Sequence, residues 1–181
     1  MGSTNGYTPL DMEKKIQAGI IGATGYAGAE LVRLLLLHPV AEISAVSSVS
    51  YEGKKLSEIY PNFREICDMV LTNEDTVIAC SDIVFACLPH GLSEPLGKKC
   101  LEQGKILVDL GADFRLEEEA LYKQWYQRDF SDSAIHADSV YALCELFSEQ
   151  IQGAKIIANP GCYPTSIALA LAPALKNGLC Q

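Results

Sequence analysis

No apolar run in these 181 residues reaches the ~18 needed to cross a bilayer. The start of the chain lacks a basic segment followed by an apolar core, so no secretory signal and no membrane partner are expected. Gly6 stands where a myristoylation signal wants Ser or Thr, which argues against lipidation. Basic residues are scarce. There are 14 Lys and Arg against 23 Asp and Glu, a net charge of −9, and the lysines cluster only as the pairs Lys14-Lys15, Lys54-Lys55 and Lys98-Lys99. That balance argues against general affinity for nucleic acid or anionic membranes. The seven cysteines are odd in number and nowhere spaced C-x-x-C, which speaks against a disulfide framework and against a zinc site. No metal is therefore expected, and a reducing, cytoplasmic compartment fits best. Internal repeats and low-complexity tracts are also missing.

What remains is a composition that folds. Hydrophobic residues make up 49% of the chain and mean hydropathy is +0.12, enough for a sizeable core in one domain, or in one domain and part of a second. Residues 1–14 are polar at first and read as a flexible lead-in. Short apolar runs then alternate with helical patterns. Strands are expected at 17–21, 41–46, 69–71, 82–87, 105–109 and 154–158, and helices at 29–37, 73–80, 94–103, 117–126 and 166–175. Residues 127–139 are polar and read as irregular. The alternation predicts an α/β fold with a doubly wound, mostly parallel, Rossmann-type sheet.

The chemistry gathers at the ends of the expected strands. The first strand runs into Gly22-Ala23-Thr24-Gly25-Tyr26-Ala27-Gly28 and then a helix. Strand, glycine-rich turn and helix open a dinucleotide-binding unit, in which glycines let backbone N–H groups approach a pyrophosphate. The G-x-x-G-x-x-G spacing is a variant of the usual fingerprint, and a purely structural turn is the alternative. The second strand ends in Ser47-Ser48-Val49-Ser50, with no carboxylate before Glu52. NAD sites usually place an acid there to bind the ribose, whereas hydroxyls suit a 2′-phosphate, so NADP is favoured over NAD. A plain serine-rich loop is the alternative. Leu88-Pro89-His90-Gly91 follows another strand; His90 is read either as a proton carrier or as a loop residue shaping, with Pro89, the cofactor pocket. Arg115, in Asp113-Phe114-Arg115, is read either as a clamp for a carboxylate or phosphate or as the local partner of Asp113. Glu145 has no role assignable from spacing, and a surface carboxylate is the simplest reading.

Asn159-Pro160-Gly161-Cys162-Tyr163-Pro164-Thr165 lies between the last strand and the last helix. Pro164 suits the first helical position, which would place Cys162 just before a helix N-terminus. Unpaired N–H groups and the positive dipole end there favour a thiolate and supply donors to an oxyanion. The alternative is the ordinary fate of a free cysteine, a small buried residue.

Taken together and in this order, the glycine turn, Leu-Pro-His-Gly, Asp-Leu-Gly-Ala-Asp-Phe-Arg and Asn-Pro-Gly-Cys-Tyr-Pro-Thr resemble N-acetyl-γ-glutamyl-phosphate reductase, the NADPH-dependent family of arginine biosynthesis. The resemblance runs from about Lys15 to Gln181. It implies that Cys162 is the nucleophile, attacking an acyl phosphate, releasing phosphate and leaving a thioester that hydride from NADPH converts to the semialdehyde. It also implies cofactor contacts by Gly22, Ala23, Thr24, Gly25, Tyr26, Gly28, Ser47, Ser48, Pro89 and His90, and substrate contacts by Arg115 and Asn159. Val49-Ser50 stands where many relatives carry a basic or polar pair. Members of the family are much longer; their second half carries a catalytic histidine and a region that covers the substrate and forms the homo-oligomer. None of His38, His90 and His136 sits in a context matching that histidine. The expectation is therefore an NADP-binding domain over 15–158 and only the beginning of a catalytic domain over 159–181, in a chain that binds NADP but turns over poorly. Related readings are an aspartate-semialdehyde or aminoadipyl-phosphate enzyme, a non-catalytic NADP-binding module, and a structural fragment without a ligand.

Overall fold

A computed structural model describes residues 14–179. The lead-in expected over 1–14 therefore lies, except for Lys14, outside the described residues. The chain forms one seven-stranded sheet from β1 (Ile16–Ile21), β2 (Ala41–Ser47), β3 (Leu71–Thr72), β4 (Ile83–Ala86), β5 (Ile106–Asp109), β6 (Ser139–Tyr141) and β7 (Ile156–Ala158). Strand order is β3-β2-β1-β4-β5-β7-β6. Every paired strand is parallel, so the sheet is more uniform than the mostly parallel one expected.

Among the described residues there are eight α-helices, seven between strands and one after the last: α1 (Tyr26–Leu35), α2 (Leu56–Ile59), α3 (Glu74–Cys80), α4 (Ser93–Glu102), α5 (Glu119–Tyr126), α6 (Ser133–Ala137), α7 (Cys144–Ile151) and α8 (Cys162–Lys176). Their sequences explain several of their limits. In α1, Gly28, Val32 and Leu35 recur at helical spacing and are the buried face. Asn73 caps α3, its side chain accepting the Thr76 N–H at 2.9 Å, with Glu74 and Asp75 in the first turn where the dipole favours acids.

Parallel strands covered on both faces read as apolar runs, and their alternate residues divide between two cores. Ile21, Val84, Ala86, Leu107 and Ile156 pack with Val77 and Ile78 of α3 and Leu96 and Cys100 of α4. Ala18, Ile20 and Val46 pack on the opposite face with Val32 and Leu35 of α1 and Leu56 of α2. Beyond β1 that second face closes incompletely, and Ile83, Phe85, Ile106, Val108 and Ile157 stay half-buried.

Three local expectations are corrected. Residues 127–139 are not irregular throughout: α6 forms there, capped by Asp132, because Ile135 and His136 are drawn into the core. The first helix begins at Tyr26 rather than residue 29, the glycine turn continuing directly into its first turn. The last helix begins at Cys162, with Gly161 as N-cap, so Cys162 is its first residue and Pro164 its third. A proline is tolerated there because the first four helical N–H groups lack intrahelical acceptors.

Candidate active site

In an all-parallel sheet, every carboxyl end lies along one edge. The glycine turn after β1, the 87–91 loop after β4, the 110–115 loop after β5 and the cysteine turn after β7 all emerge there. From β1 to β7 is three strand spacings, about 14 Å at the usual ~4.8 Å each.

The glycines of the first turn do three different things. Gly22 adopts φ +83°, and a Cβ on it would overlap the carbonyl of Cys87. Gly28 is buried against the turn; a Cβ there would lie 2.8 Å from Cα of Ala23 and overlap the carbonyl oxygen of Gly22. Gly25 is exposed, and an added Cβ would meet nothing closer than 3.5 Å. Two glycines therefore serve the packing, and the third leaves an open approach to the helix terminus. The N–H groups of Gly22 and Ala23 donate to the carbonyl of Ser47, and that of Gly25 to the carbonyl of Gly22. Free N–H groups remain in the first turn of α1, at Tyr26, Ala27 and Gly28, where no intrahelical carbonyl is in reach, and such groups are the kind of donor that holds a phosphate. Tyr60, which carried no signal in the sequence, pins the turn by donating its hydroxyl to the Thr24 carbonyl at 2.8 Å.

A cleft of about 440 Å³ opens beside this turn, lined by Gly22, Thr24, Gly25, Ser47, Ser48, Leu88 and Pro89 among others. Thr24 and Ser48 share a hydroxyl hydrogen bond of 2.7 Å at its wall. Ser47 and Ser48 are buried. Glu52, Glu74 and Asp75 line the outer side. Asp75 is paired with Lys99 at 2.7 Å, and Glu52 accepts from Asn73 at 3.4 Å. The open Gly25 approach, the unpaired helix N–H groups and the hydroxyls at the end of β2 fit a dinucleotide in this cleft.

At the other end of the edge, Cys162 is exposed on the first turn of α8. Arg115 reaches the same turn. Its Nε donates to the carbonyl of Asn159 at 2.9 Å and its Nη2 to that of Leu110 at 3.1 Å. A Cβ on Gly161 would lie 3.2 Å from Nη1, which places the guanidinium beside the residue preceding Cys162. Asp113 is not paired with Arg115 but accepts the N–H of Gly91 and of Ser93. The local Asp113–Arg115 pair is therefore not formed, and the bonds of Arg115 tie the loop after β5 to the cysteine turn. Asn159 has its side chain on the neighbouring Pro160 carbonyl at 3.1 Å.

The three histidines separate. His38 is exposed just beyond α1, and His90 is exposed on the 87–91 loop with its ring 5.8 Å from that of Tyr126. His136 is buried, with Nε2 2.9 Å from Oε1 of Glu94. Glu94 also accepts from the Ser131 hydroxyl and N–H; burial works to raise its pKa, but these hydrogen bonds and His136 outweigh it and hold the carboxyl below its ordinary value. Sequence reading passed over the Glu94–His136 pair, since its members lie 42 residues apart. Glu145 is exposed in the first turn of α7, as a surface carboxylate.

Buried polar groups concentrate beneath the edge. Asp109 and Asp113 are both fully buried, and burial, with the neighbouring Asp113 charge, pushes the Asp109 carboxyl up despite hydrogen bonds from Ser93 and Gly111. Burial and the Asp109 charge push the Cys87 thiol up to about 12. Among the described residues no cluster of His, Cys, Asp and Glu is placed to hold a metal ion, and no helix is long and apolar enough to cross a membrane.

Comparison with known proteins bears on the family and the fold. Residues 17–154 match the family described as semialdehyde dehydrogenase, NAD binding domain. An N-acetyl-gamma-glutamyl-phosphate reductase of Clostridium botulinum (strain Eklund 17B / Type B) is 55% identical over 166 residues, covering 92% of this chain and 48% of the relative. A protein of the same name from Brachyspira hyodysenteriae is 47% identical over 169 residues, covering 90% of this chain and 48% of its own length. The chain thus spans about half the length of the curated relatives it matches. Among solved structures, aspartate semialdehyde dehydrogenase with NADP from Candida albicans superposes with a TM-score of 0.65 at 20% identity, over 91% of this chain and 48% of that one. Aspartate semialdehyde dehydrogenase II complexed with ASA from Vibrio cholerae gives 0.66 at 22% identity, over 90% of this chain and 47% of that one. At these identities the superpositions speak for the fold alone.

Proposed function

The chain belongs to the semialdehyde dehydrogenase family through its NAD-binding domain, and on that basis we propose that it is the cofactor-binding half of an NADPH-dependent N-acetyl-γ-glutamyl-phosphate reductase. The observation that carries this reading is the placement of an open phosphate approach at Gly25 and an exposed Cys162 at the carboxyl edge of one parallel sheet. Identity of 47–55% to proteins named for that reaction favours it over an aspartate-semialdehyde enzyme, to which the likeness is one of fold.

In this reading the first turn of α1 holds the pyrophosphate, and Ser47, Ser48 and Thr24 receive the adenosine ribose and its 2′-phosphate. Leu88, Pro89 and His90 form the wall between the glycine turn and the cysteine. Bound NADPH supplies a hydride. The Cys162 thiolate attacks the acyl-phosphate carbonyl; the sulfur–carbon bond forms as the carbon–oxygen bond to phosphate breaks, and phosphate departs. N–H groups at the start of α8 face the oxyanion that forms during this attack. The resulting thioester would be the acceptor of that hydride, and Cys162 would leave as thiolate when the semialdehyde is released. Arg115, with one nitrogen beside Gly161, holds the anionic end of the substrate together with Asn159.

Residues 15–158 then form the cofactor domain, and 159–181 begin a catalytic domain. No described histidine combines a place beside Cys162 with a partner that would orient it: His136 is locked on Glu94, and His38 lies beyond α1. Turnover by this chain is accordingly low, because general acid–base assistance contributes roughly 10²–10⁴-fold. The longer protein is a cytoplasmic homo-oligomer in this reading, and its ligands are small acyl phosphates rather than nucleic acid or membranes.

Titration of the chain with NADP⁺, followed by assay of phosphate-dependent NADPH formation from N-acetylglutamate semialdehyde, tests the reading. Saturable binding with little turnover is expected, and any turnover should vanish in Cys162→Ser. A chain that binds neither NADP⁺ nor NADPH overturns it.

A further inference from the structure

Two fully buried carboxylates, Asp109 and Asp113, have no part in the chemistry above, yet both reach back to the stretch between β4 and α4 or the first residue of α4, Asp113 to Gly91 and Ser93 and Asp109 to Ser93. Asp113 accepts the N–H of Gly91 and, at 2.7 Å, that of Ser93, and its Oδ1 takes the Tyr122 hydroxyl at 3.3 Å. Asp109 accepts the Ser93 hydroxyl at 2.6 Å and the Gly111 N–H at 2.9 Å through one oxygen, while its second oxygen is buried without a partner. Burying a carboxylate is costly unless it is well bonded. Here three of the five bonds go to Gly91 and Ser93, and none to the adjacent Arg115.

That segment occupies a particular place. β4 lies between β1, which carries the glycine turn, and β5 and β7, which lead to Cys162. A dinucleotide extending from the turn to the cysteine must cross the end of β4, where Leu88 and Pro89 form the cleft wall. Gly91 closes the segment at φ +87°, and the space where its Cβ would stand is filled by the guanidinium of Arg128.

Resting on the cofactor reading, we propose that Asp113, seconded by Asp109 through Ser93, is a positioning residue that holds the 88–91 loop along the path of the nicotinamide half of the cofactor. It touches no reacting atom and acts through the amides of Gly91 and Ser93. Arg115, two residues further on, bonds the Asn159 carbonyl, so one short run sets both the cofactor loop and the cysteine turn.

The test is titration of the 181-residue chain and its Asp113→Asn variant with NADP⁺ and with adenosine 2′,5′-bisphosphate, which lacks the nicotinamide half. The variant should bind NADP⁺ about tenfold more weakly or worse, as expected for loss of a charge-assisted hydrogen bond. Adenosine 2′,5′-bisphosphate affinity should stay within about twofold, since a tenfold change would need a comparable loss at the adenosine end. Amide exchange at Gly91 and Ser93 should quicken while that of β4 does not. Ser93→Ala, which keeps both amide bonds to Asp113, reads the Asp109 contact and should show a smaller loss for NADP⁺ alone; an Asp113→Asn chain that fails to fold marks Asp113 as a residue of the fold itself and overturns the proposal. Equal weakening of both ligands, or undiminished NADP⁺ binding despite faster exchange at Gly91, overturns the proposal. Wild-type chain that binds neither ligand removes the cofactor reading itself, and this proposal with it.

Discussion

Arg115 donates its Nε–H to the carbonyl of Asn159 at 2.9 Å, across 44 residues of sequence. With its second bond, to the Leu110 carbonyl, the guanidinium joins the loop after β5 to the turn that presents Cys162. Its planar fork serves two carbonyls and still leaves a nitrogen beside Gly161. Asp113, two positions away, faces the opposite loop. The two charges of Asp-Phe-Arg thus fix two different parts of one edge.

The glycines of the first turn should separate under substitution. Gly28→Ala forces a Cβ into the Gly22 carbonyl and is expected to destabilise by ~1–3 kcal/mol. Gly25→Ala meets only ordinary contacts and should cost at most about 1 kcal/mol as a poorer N-cap, yet weaken NADP⁺ binding several-fold. Urea unfolding together with NADP⁺ titration of both variants checks this.

Alkylation should sort the cysteines. At pH 8, burial leaves Cys87, pushed up to about 12, and Cys100, pushed up to about 11, almost wholly as thiols. Their thiolate fractions are roughly 10⁻⁴ and 10⁻³. Iodoacetamide followed by peptide mapping should label the exposed Cys162, Cys80 and Cys144 and spare these two. Saturating NADP⁺ should slow labelling at Cys162 and leave Cys80 and Cys144 unchanged.

Asp109 sets a pH dependence whose sign follows from its raised pKa. Between the ordinary carboxyl value of 3.8 and its higher folded value, the native state keeps a proton that the unfolded state gives up. Stability therefore falls as pH rises through that window and levels off above it. Asn cannot titrate, so the stability of Asp109→Asn relative to wild type should rise across the same window and stay constant on either side. Urea midpoints measured from pH 3 to pH 8 give the curve; a flat difference would mean that Asp109 titrates alike in the folded and unfolded chain.

The outer face of α8 should make the chain associate. Tyr163, Ile167, Leu171 and Leu175 are all exposed, and four-residue spacing lines them up along one side of α8. None of α8 is buried, so substitutions there leave the described core intact. A contiguous apolar stripe of this kind promotes association. Light scattering should show mass rising with concentration for wild type and much less for Ile167→Lys/Leu171→Lys, with the thermal transition little changed.

Much of this was readable in the chain itself. Apolar runs of three to six residues between helical patterns specified a parallel sheet, because strands buried on both faces need no alternation. The glycine turn and Asn-Pro-Gly-Cys-Tyr-Pro-Thr were legible because local backbone chemistry dictates both. The pairing of Glu94 with His136, and the folding of 133–137 into a helix, were not: that polar stretch is helical because Ile135 and His136 find a core supplied by residues distant in sequence.

The sequence alone determined the main strand and helix alternation, the glycine and cysteine turns and the residue types that carry the chemistry, since those follow from periodicity, glycine and proline within a few residues; it left β6, α2, α6 and α7 unread. Only the tertiary structure decided what each turn residue does. It assigned Gly22 and Gly28 to packing and left Gly25 open, spent the N–H groups of Gly22 and Ala23 on Ser47, and turned Asp113 away from Arg115 toward Gly91. These outcomes depend on which strand lies beside which. Hydrogen bonds and steric overlap act over a few ångströms, and neighbours at that range are set by the sheet, not by the chain.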